Sequence, residues 1–266
     1  MKKLSVGILG FGTVGGGTYE ILTKNHDLIT QRTGVSIDVV KALVRKHREG
    51  IPAHLTTEDP DDILKEPSID VVVETMGGIE PATAFMLQAM ENGKHVVTAN
   101  KAAVAANYEK LQAAAAKTQV QFLFEASVGG GIPVLTSIQN ALQGNAFLEV
   151  MGIVNGTTNY ILTRMTEDGM DYEEALALAT KLGYAESDPT ADVEGYDAGR
   201  KVAIMASIAF HSNVTFSQVY TEGITHITAE DIRYAKEFGY LITLIGQTRL
   251  PEGRDEAKVR PTPFTE

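Results

Sequence analysis

Gly10, Gly12 and Gly15 follow directly on the apolar run Leu4-Ser5-Val6-Gly7-Ile8-Leu9, near the start of a chain of 266 residues. A strand pattern, then Gly-x-Gly-x-x-Gly, then a helical pattern is the fingerprint of a dinucleotide pyrophosphate site. Gly10 lets the chain turn sharply off the strand, Gly12 offers no side chain to keep the backbone from a pyrophosphate, and Gly15 lets the next helix pack on the sheet. The phosphate would rest on a helix starting near Val14, where unpaired N–H groups and the helix dipole favour an anion. Glycine-rich turns also arise by chance, but Thr18-Tyr19-Glu20-Ile21-Leu22 reads as helix on the far side of this one. Two further places could carry proton chemistry. Lys101 follows Thr98-Ala99-Asn100 at the end of a predicted strand, where it would point into the same crevice as the glycine turn. Asp197 and Lys201 stand four apart on a predicted helix, so they share a face and could present a carboxylate and an ammonium together. Taken alone, each has a plainer reading: Lys101 as a solvated loop charge, Asp197 and Lys201 as a surface ion pair.

Other chemistries are excluded or disfavoured. The chain has no cysteine, so there is no disulfide framework, no thiolate metal site and no thioester route to an aldehyde. His26, His47, His54, His95, His211 and His226 show no paired spacing for zinc. Tyr184 to Lys201 is dense in carboxylates, but the sixth and twelfth positions of a calcium loop fall on Val193 and Gly199, which rules that loop out. There is no nucleophile elbow and no Walker lysine. A net charge of -11, from 23 basic and 34 acidic residues, argues against nucleic acid and for a small-molecule partner. No stretch reaches the roughly eighteen apolar residues of a membrane span, and the N-terminus reads as a strand without a signal-peptide pattern. A soluble, cytoplasmic protein is expected.

These groups need a scaffold, and the hydrophobic pattern predicts one. Strands are expected at 4–9, 35–44, 69–75, 95–98 and 120–125, alternating with helices from about 14, at 59–65, 81–92 and 107–117. That alternation predicts a Rossmann-type, doubly wound parallel sheet (fold class α/β). Thr75 and Met76 then lie at the carboxyl end of the third strand, where open sheets bind ligands. Arg45 and Lys46 end the second strand. A basic residue there accommodates the 2'-phosphate of NADP, although a solvated loop charge explains them too. The pattern changes across Gly129, Gly130 and Gly131, which places a boundary between residues 1–130 and 131–266. Beyond it an α+β domain is expected, with a helix at 133–143, a strand at 148–154, and a polar turn at Asn155 capping a further helix. A capping-box helix follows from Asp171 to near Gly183, then one running to about Phe210, a helix after Thr228 and an apolar strand at 240–246. Residues 251–266 read as polar chain without a closing element.

Several blocks together resemble the homoserine dehydrogenases: Gly10-Phe11-Gly12-Thr13-Val14-Gly15, Thr98-Ala99-Asn100-Lys101, Glu125 to Pro133, Gly152 to Tyr160, and Gly183 to Pro189 through Asp197-Ala198-Gly199-Arg200-Lys201. The first is common to many nucleotide folds and the last two are specific. The resemblance implies NAD(P)-dependent interconversion of L-homoserine and L-aspartate 4-semialdehyde, in the shared route to threonine and methionine, by a homodimer. Carried over by position, Lys201 is the proton donor and Lys101 a second active-site lysine near the cofactor. Gly10, Phe11, Gly12, Thr13, Val14, Gly15, Arg45, Thr75, Lys101 and Gly183 are the cofactor's residues. Glu186 and Asp197 hold the substrate's α-ammonium, with Gly156, Thr157 and Tyr184 in the same pocket and Asp192 nearby. Glu125, Val128, Gly130 and Ile132 match a sodium site; one carboxylate and three backbone carbonyls are the hard oxygen donors an alkali cation prefers. The glycines there would otherwise simply shape a hinge. On this reading hydride passes between the nicotinamide and the aldehyde carbon while an ammonium stabilises and protonates the oxygen. Family members continue past residue 266 with a segment that returns to the nucleotide domain, so the chain is expected to be C-terminally truncated. The rival readings are another Rossmann oxidoreductase with a C-terminal substrate domain, and a nucleotide-binding module without catalysis.

Overall fold

The computed structural model describes residues 2–46, 50–250 and 256–265; His47 and the start of the expected polar tail, 251–255, lie outside them. The chain folds as two compact units, Met1–Pro133 and Val134–Glu266.

In the first unit, β1 (Lys2–Leu9), β2 (Val35–Leu43), β3 (Thr56–Thr57), β4 (Val71–Glu74), β5 (His95–Thr98) and β6 (Phe122–Leu123) form one parallel sheet. Its order is β3-β2-β1-β4-β5-β6, the doubly wound arrangement expected from the sequence. The order reverses between β1 and β4, and the crevice beyond that point is where such sheets take ligands. Val6, Ile8, Leu9 and Val72 are buried, as strands covered on both faces require. The expected strand at 120–125 is only Phe122–Leu123, because Phe124 leads into a 3-10 turn at Glu125–Ser127. The helix expected at 107–117 starts earlier, at Lys101: the Asn100 side chain accepts from the Ala103 N–H and caps it, and the backbone kinks at Asn107 (φ -135). A helix not anticipated, His26–Thr33, ends on left-handed Gly34.

The second unit carries a four-stranded mixed sheet in the order β7-β9-β10-β8, with β7 at Glu149–Gly152, β8 at Tyr220–Thr221, β9 at Tyr240–Arg249 and β10 at Glu256–Thr265. Helix Tyr196–Ala209 packs on it, and Val202, Ala203, Ile204 and Ala206 are fully buried. The contact is close. A Cβ on Gly246 of β9 would lie 2.7 Å from Val202 Cγ2, and one on Gly199 would lie 2.7 Å from the Phe216 ring. Gly246→Ala is therefore expected to lift this helix and cost about 1–3 kcal/mol, as overpacking does; an unchanged urea midpoint would show that the contact relaxes freely. The helix expected at 133–143 is a single turn, Val134–Thr136, continuing as a π-helix at Ser137–Ala141.

The tail departs most from expectation. Residues 256–265 are not loose polar chain but the full antiparallel partner of β9, from Glu256 opposite Arg249 to Thr265 opposite Tyr240. Pro261 and Pro263 argue against a strand because proline cannot donate to a ladder. They are tolerated here because of their parity. The Glu222 N–H donates to the Val259 carbonyl on the β8 side at 2.8 Å. Pro261 and Pro263 turn the same way, past the two residues at which β8 pairs. At the start of the strand, Glu256 takes Arg249 Nε at 2.5 Å and Lys258 Nζ at 3.1 Å. These cations hold its carboxyl down at about 2.

Candidate active site

The glycine turn has the geometry its spacing requires. Gly10 ends β1 with φ +93, a conformation that glycine adopts without strain. A Cβ on Gly15 would stand 2.1 Å from the Gly10 carbonyl oxygen and 2.7 Å from Thr75 Oγ1, so the helix approaches as closely as it can. Thr75, just past β4, locks the turn: its N–H donates to the Leu9 carbonyl at 2.9 Å and its hydroxyl to that of Gly10 at 2.8 Å. A Cβ on Gly12, by contrast, meets nothing within 4 Å. The fold does not need glycine at Gly12, so the open space there is room for a ligand. Helix Thr13–Lys24 begins immediately after, and its first-turn N–H groups have no intrahelical acceptors.

A cleft of about 750 Å³ opens over this turn. It is lined by Gly10, Phe11 and Gly12 at one side, by Arg45 and Lys46 beyond β2, and by Thr75 and Met76 beyond β4. The expected cofactor residues at 10, 11, 12, 45 and 75 thus share one cavity, and Thr13, Val14 and Gly15 form the start of the helix beside it. Arg45 and Lys46 are exposed, with their charges on the cleft wall.

Lys101 is the first residue of its helix, and what places it is a buried carboxylate that the sequence reading did not single out. Glu74 is fully buried at the end of β4. It accepts the Met76 N–H at 2.7 Å and the Thr98 hydroxyl at 2.6 Å. Thr98 in turn accepts the Asn100 N–H at 2.9 Å, while the Asn100 amide donates to the Gly78 carbonyl at 2.7 Å. A buried carboxylate must be met by donors, and here meeting them ties the Met76–Gly78 turn to the turn that presents Lys101. An acidic residue ending an apolar strand beside Thr75 was the available signal.

The residues 125–132 make successive turns. The Val128 N–H donates to the Glu125 carbonyl at 3.2 Å and the Ile132 N–H to that of Gly129 at 3.0 Å. The carbonyls expected at a cation, those of Val128, Gly130 and Ile132, are different ones. Among the described residues no cluster of three or more His, Cys, Asp or Glu could hold a metal ion.

In the second unit Gly156, Thr157, Tyr184, Asp192 and Asp197, of the expected substrate residues, gather around the start of two helices. Asn155 caps helix Gly156–Asp168 by accepting the Thr158 N–H at 2.8 Å, so Gly156 and Thr157 occupy its exposed-backbone first turn. Thr157 donates its hydroxyl to the Tyr184 carbonyl at 2.8 Å, and the Tyr184 ring stacks on Tyr160 with centroids 4.4 Å apart. Asp197 and Lys201 lie one turn apart on helix Tyr196–Ala209, their ion pair 2.6 Å long, with the side chains only 7% and 16% exposed. That is not the ordinary surface pair. A second proton of Lys201 goes to the Val154 carbonyl at 2.6 Å. Asn155 joins the group: its amide nitrogen lies 2.7 Å from Asp192 Oδ1 and 3.0 Å from Asp197 Oδ2. Glu186 is exposed on the loop that follows Tyr184. Gly183, expected at the cofactor, stops helix Tyr172–Lys181 with φ +81, a local reason for glycine at that position.

Comparison with known proteins follows this division. A family model described as homoserine dehydrogenase matches residues 133–266, and one described as the homoserine dehydrogenase NAD-binding domain matches residues 10–125. The homoserine dehydrogenase of Pseudomonas aeruginosa is 46% identical over 264 residues, covering 98% of this chain and 61% of its own length. That of Bacillus subtilis is 42% identical over 266 residues, again 98% of this chain and 61% of its own. Among solved structures, a homoserine dehydrogenase from Thiobacillus denitrificans matches with a TM-score of 0.96 at 46% identity, over 100% of this chain and 62% of that one. The chain spans about three fifths of the length of the curated relatives it matches.

Proposed function

The chain belongs to the homoserine dehydrogenase family, and we propose on that premise that it interconverts L-homoserine and L-aspartate 4-semialdehyde with NAD(P). The observation that carries the reading is the Asp197–Lys201 pair, held largely out of water beside Asn155 and the Gly156–Thr157 helix start. A dinucleotide bound at the glycine turn supplies hydride chemistry. The cleft fits one: Gly12 leaves space that a Cβ would fill, Thr75 fixes the turn, and the helix start at Thr13 meets the pyrophosphate. Lys201 spends two of its three protons on Asp197 and Val154, and the third stabilises and protonates the substrate oxygen. Lys101 is a second active-site lysine near the cofactor, while Glu186 and Asp197 hold the α-ammonium. Gly156, Thr157 and Tyr184 shape the pocket with Asp192, and Gly183 completes the cofactor's contacts. Glu125 and the backbone carbonyls of Val128, Gly130 and Ile132 are the oxygen donors that would hold a monovalent cation, sodium. The protein works as a cytoplasmic homodimer in threonine and methionine biosynthesis; among the described residues no helix is long and apolar enough to cross a membrane.

The test is a turnover assay with homoserine and each of NAD and NADP, following reduced nicotinamide. Homoserine-dependent reduction is the expected result. Cofactor binding without it would leave a nucleotide-binding module. The same assay tests the preference read from Arg45. Arg45→Ala is expected to weaken NADP by about tenfold, the worth of one charge-assisted hydrogen bond, and to leave NAD unchanged. Equal loss for both cofactors would place Arg45 away from the 2'-phosphate.

A further inference from the structure

Asn155 has two functions that can be separated. Its side-chain oxygen caps helix Gly156–Asp168, accepting both the Thr158 N–H at 2.8 Å and the Thr158 hydroxyl at 2.9 Å. Capping uses only that oxygen, and Ser or Asp would do it as well. Its nitrogen faces the other way, toward two carboxylates from different turns, Asp192 at 2.7 Å and Asp197 at 3.0 Å. An amide nitrogen carries two protons, one for each. The residue is 5% exposed, and its bond to Asp197 is buried while that to Asp192 is partly so. The oxygen of Asp197 that receives the amide is Oδ2, the same atom that pairs with Lys201 Nζ at 2.6 Å. Removing the amide protons would take away the neutral donor that shares this carboxylate oxygen with Lys201.

We propose that Asn155 is a positioning residue: its amide group holds Asp192 and Asp197 in the orientation that fixes the Lys201 ammonium, independently of its capping oxygen. The inference deepens the functional reading above and, for its kinetic consequence, rests on it. Like-charged carboxylates tend to separate; a shared donor draws Asp192 and Asp197 to one point, and Lys201 is aimed from there. The helix that Asn155 caps begins with Gly156 and Thr157, so one side chain sets the helix start and both carboxylates.

The experiment compares wild type with Asn155→Ser, a competent cap that lacks the amide protons and adds no charge beside Asp192 and Asp197. Expected are native circular dichroism, unchanged NAD(P) affinity, and a kcat/KM for homoserine lowered at least tenfold. A second measurement does not depend on turnover: the rate of reductive methylation of Lys201, read by peptide mass spectrometry. In Asn155→Ser it is expected to rise several-fold, because the ammonium is less firmly held. If Asn155 were only a cap, Ser would match wild type in both measurements and Asn155→Ala alone would suffer. Wild-type kcat/KM in the Ser variant, or an unchanged methylation rate, overturns the proposal. A wild-type protein that turns over no homoserine defeats the functional reading instead, and the methylation rate then decides the positioning role alone. Should the Ser variant not fold, Asp192→Ala provides the same methylation test, since it removes the acceptor that holds the amide on that side; an unchanged rate there also overturns the proposal.

Discussion

Lys201→Ala is expected to lower kcat for homoserine by about two to four orders of magnitude, the range lost when a positioned proton donor that also faces a developing oxyanion is removed. NAD(P) affinity should change little, because Lys201 is not among the residues assigned to the cofactor. The difficulty with alanine is the carboxylate it leaves behind. Asp197 is 7% exposed, and breaking a buried pair by removing one partner costs about 3–5 kcal/mol in the fully buried case. Lys201→Arg separates folding from chemistry. A guanidinium can still meet Asp197 but does not give up a proton near neutral pH. The arginine variant should therefore melt close to wild type and remain catalytically poor. Near-normal turnover in either variant, with substrate still bound, would remove Lys201 from the reaction.

The second large effect is a contrast between two glycines three residues apart. Gly15→Ala puts a methyl group 2.1 Å from the Gly10 carbonyl oxygen, and neither the turn nor the helix can yield without opening the Thr75 bonds. A loss of about 1–3 kcal/mol of stability is expected, with weaker cofactor binding as a consequence. Gly12→Ala places its methyl group in open space, on a residue whose φ of -85 suits any side chain. The melting temperature should hold, or rise slightly, since alanine restricts the unfolded chain. NAD(P) affinity should nonetheless fall roughly ten- to hundred-fold, the worth of about 1.4–2.8 kcal/mol, because the methyl group occupies the pyrophosphate's place. Paired melting curves and cofactor titrations read this directly. If Gly12→Ala bound cofactor as tightly as wild type, the ligand would not cross the turn where the fingerprint puts it.

These contrasts show where the sequence speaks and where it does not. The glycine turn was legible from its spacing between a strand and a helix, and the doubly wound parallel sheet from apolar strands alternating with helices, although its two-residue edge strand β3 was not. Asp197 and Lys201 were legible as a pair, but spacing alone could not distinguish a surface ion pair from one mostly withdrawn from water. That difference comes from long-range packing: Val202 against Gly246 presses the helix onto the sheet. The last strand was missed because two prolines within ten residues speak against pairing, and only the finished sheet shows that both face the side that needs no donor. Glu74 and Asn155 were missed as organisers for a related reason. A buried carboxylate or amide is defined by the donors and acceptors brought to it from distant segments, Thr98 and Asn100 for the one, Asp192 and Asp197 for the other.

The central claim is that a nicotinamide held at the Gly10–Gly15 turn exchanges hydride with the substrate carbon whose oxygen Lys201 serves. It is tested most directly by supplying NADPH carrying deuterium at both C4 positions together with aspartate 4-semialdehyde and analysing the product by mass spectrometry. One deuterium, carried on C4 of homoserine and formed at a rate that collapses in Lys201→Arg, is the predicted result. Homoserine without the label, or labelled homoserine formed as fast by the arginine variant, would contradict it.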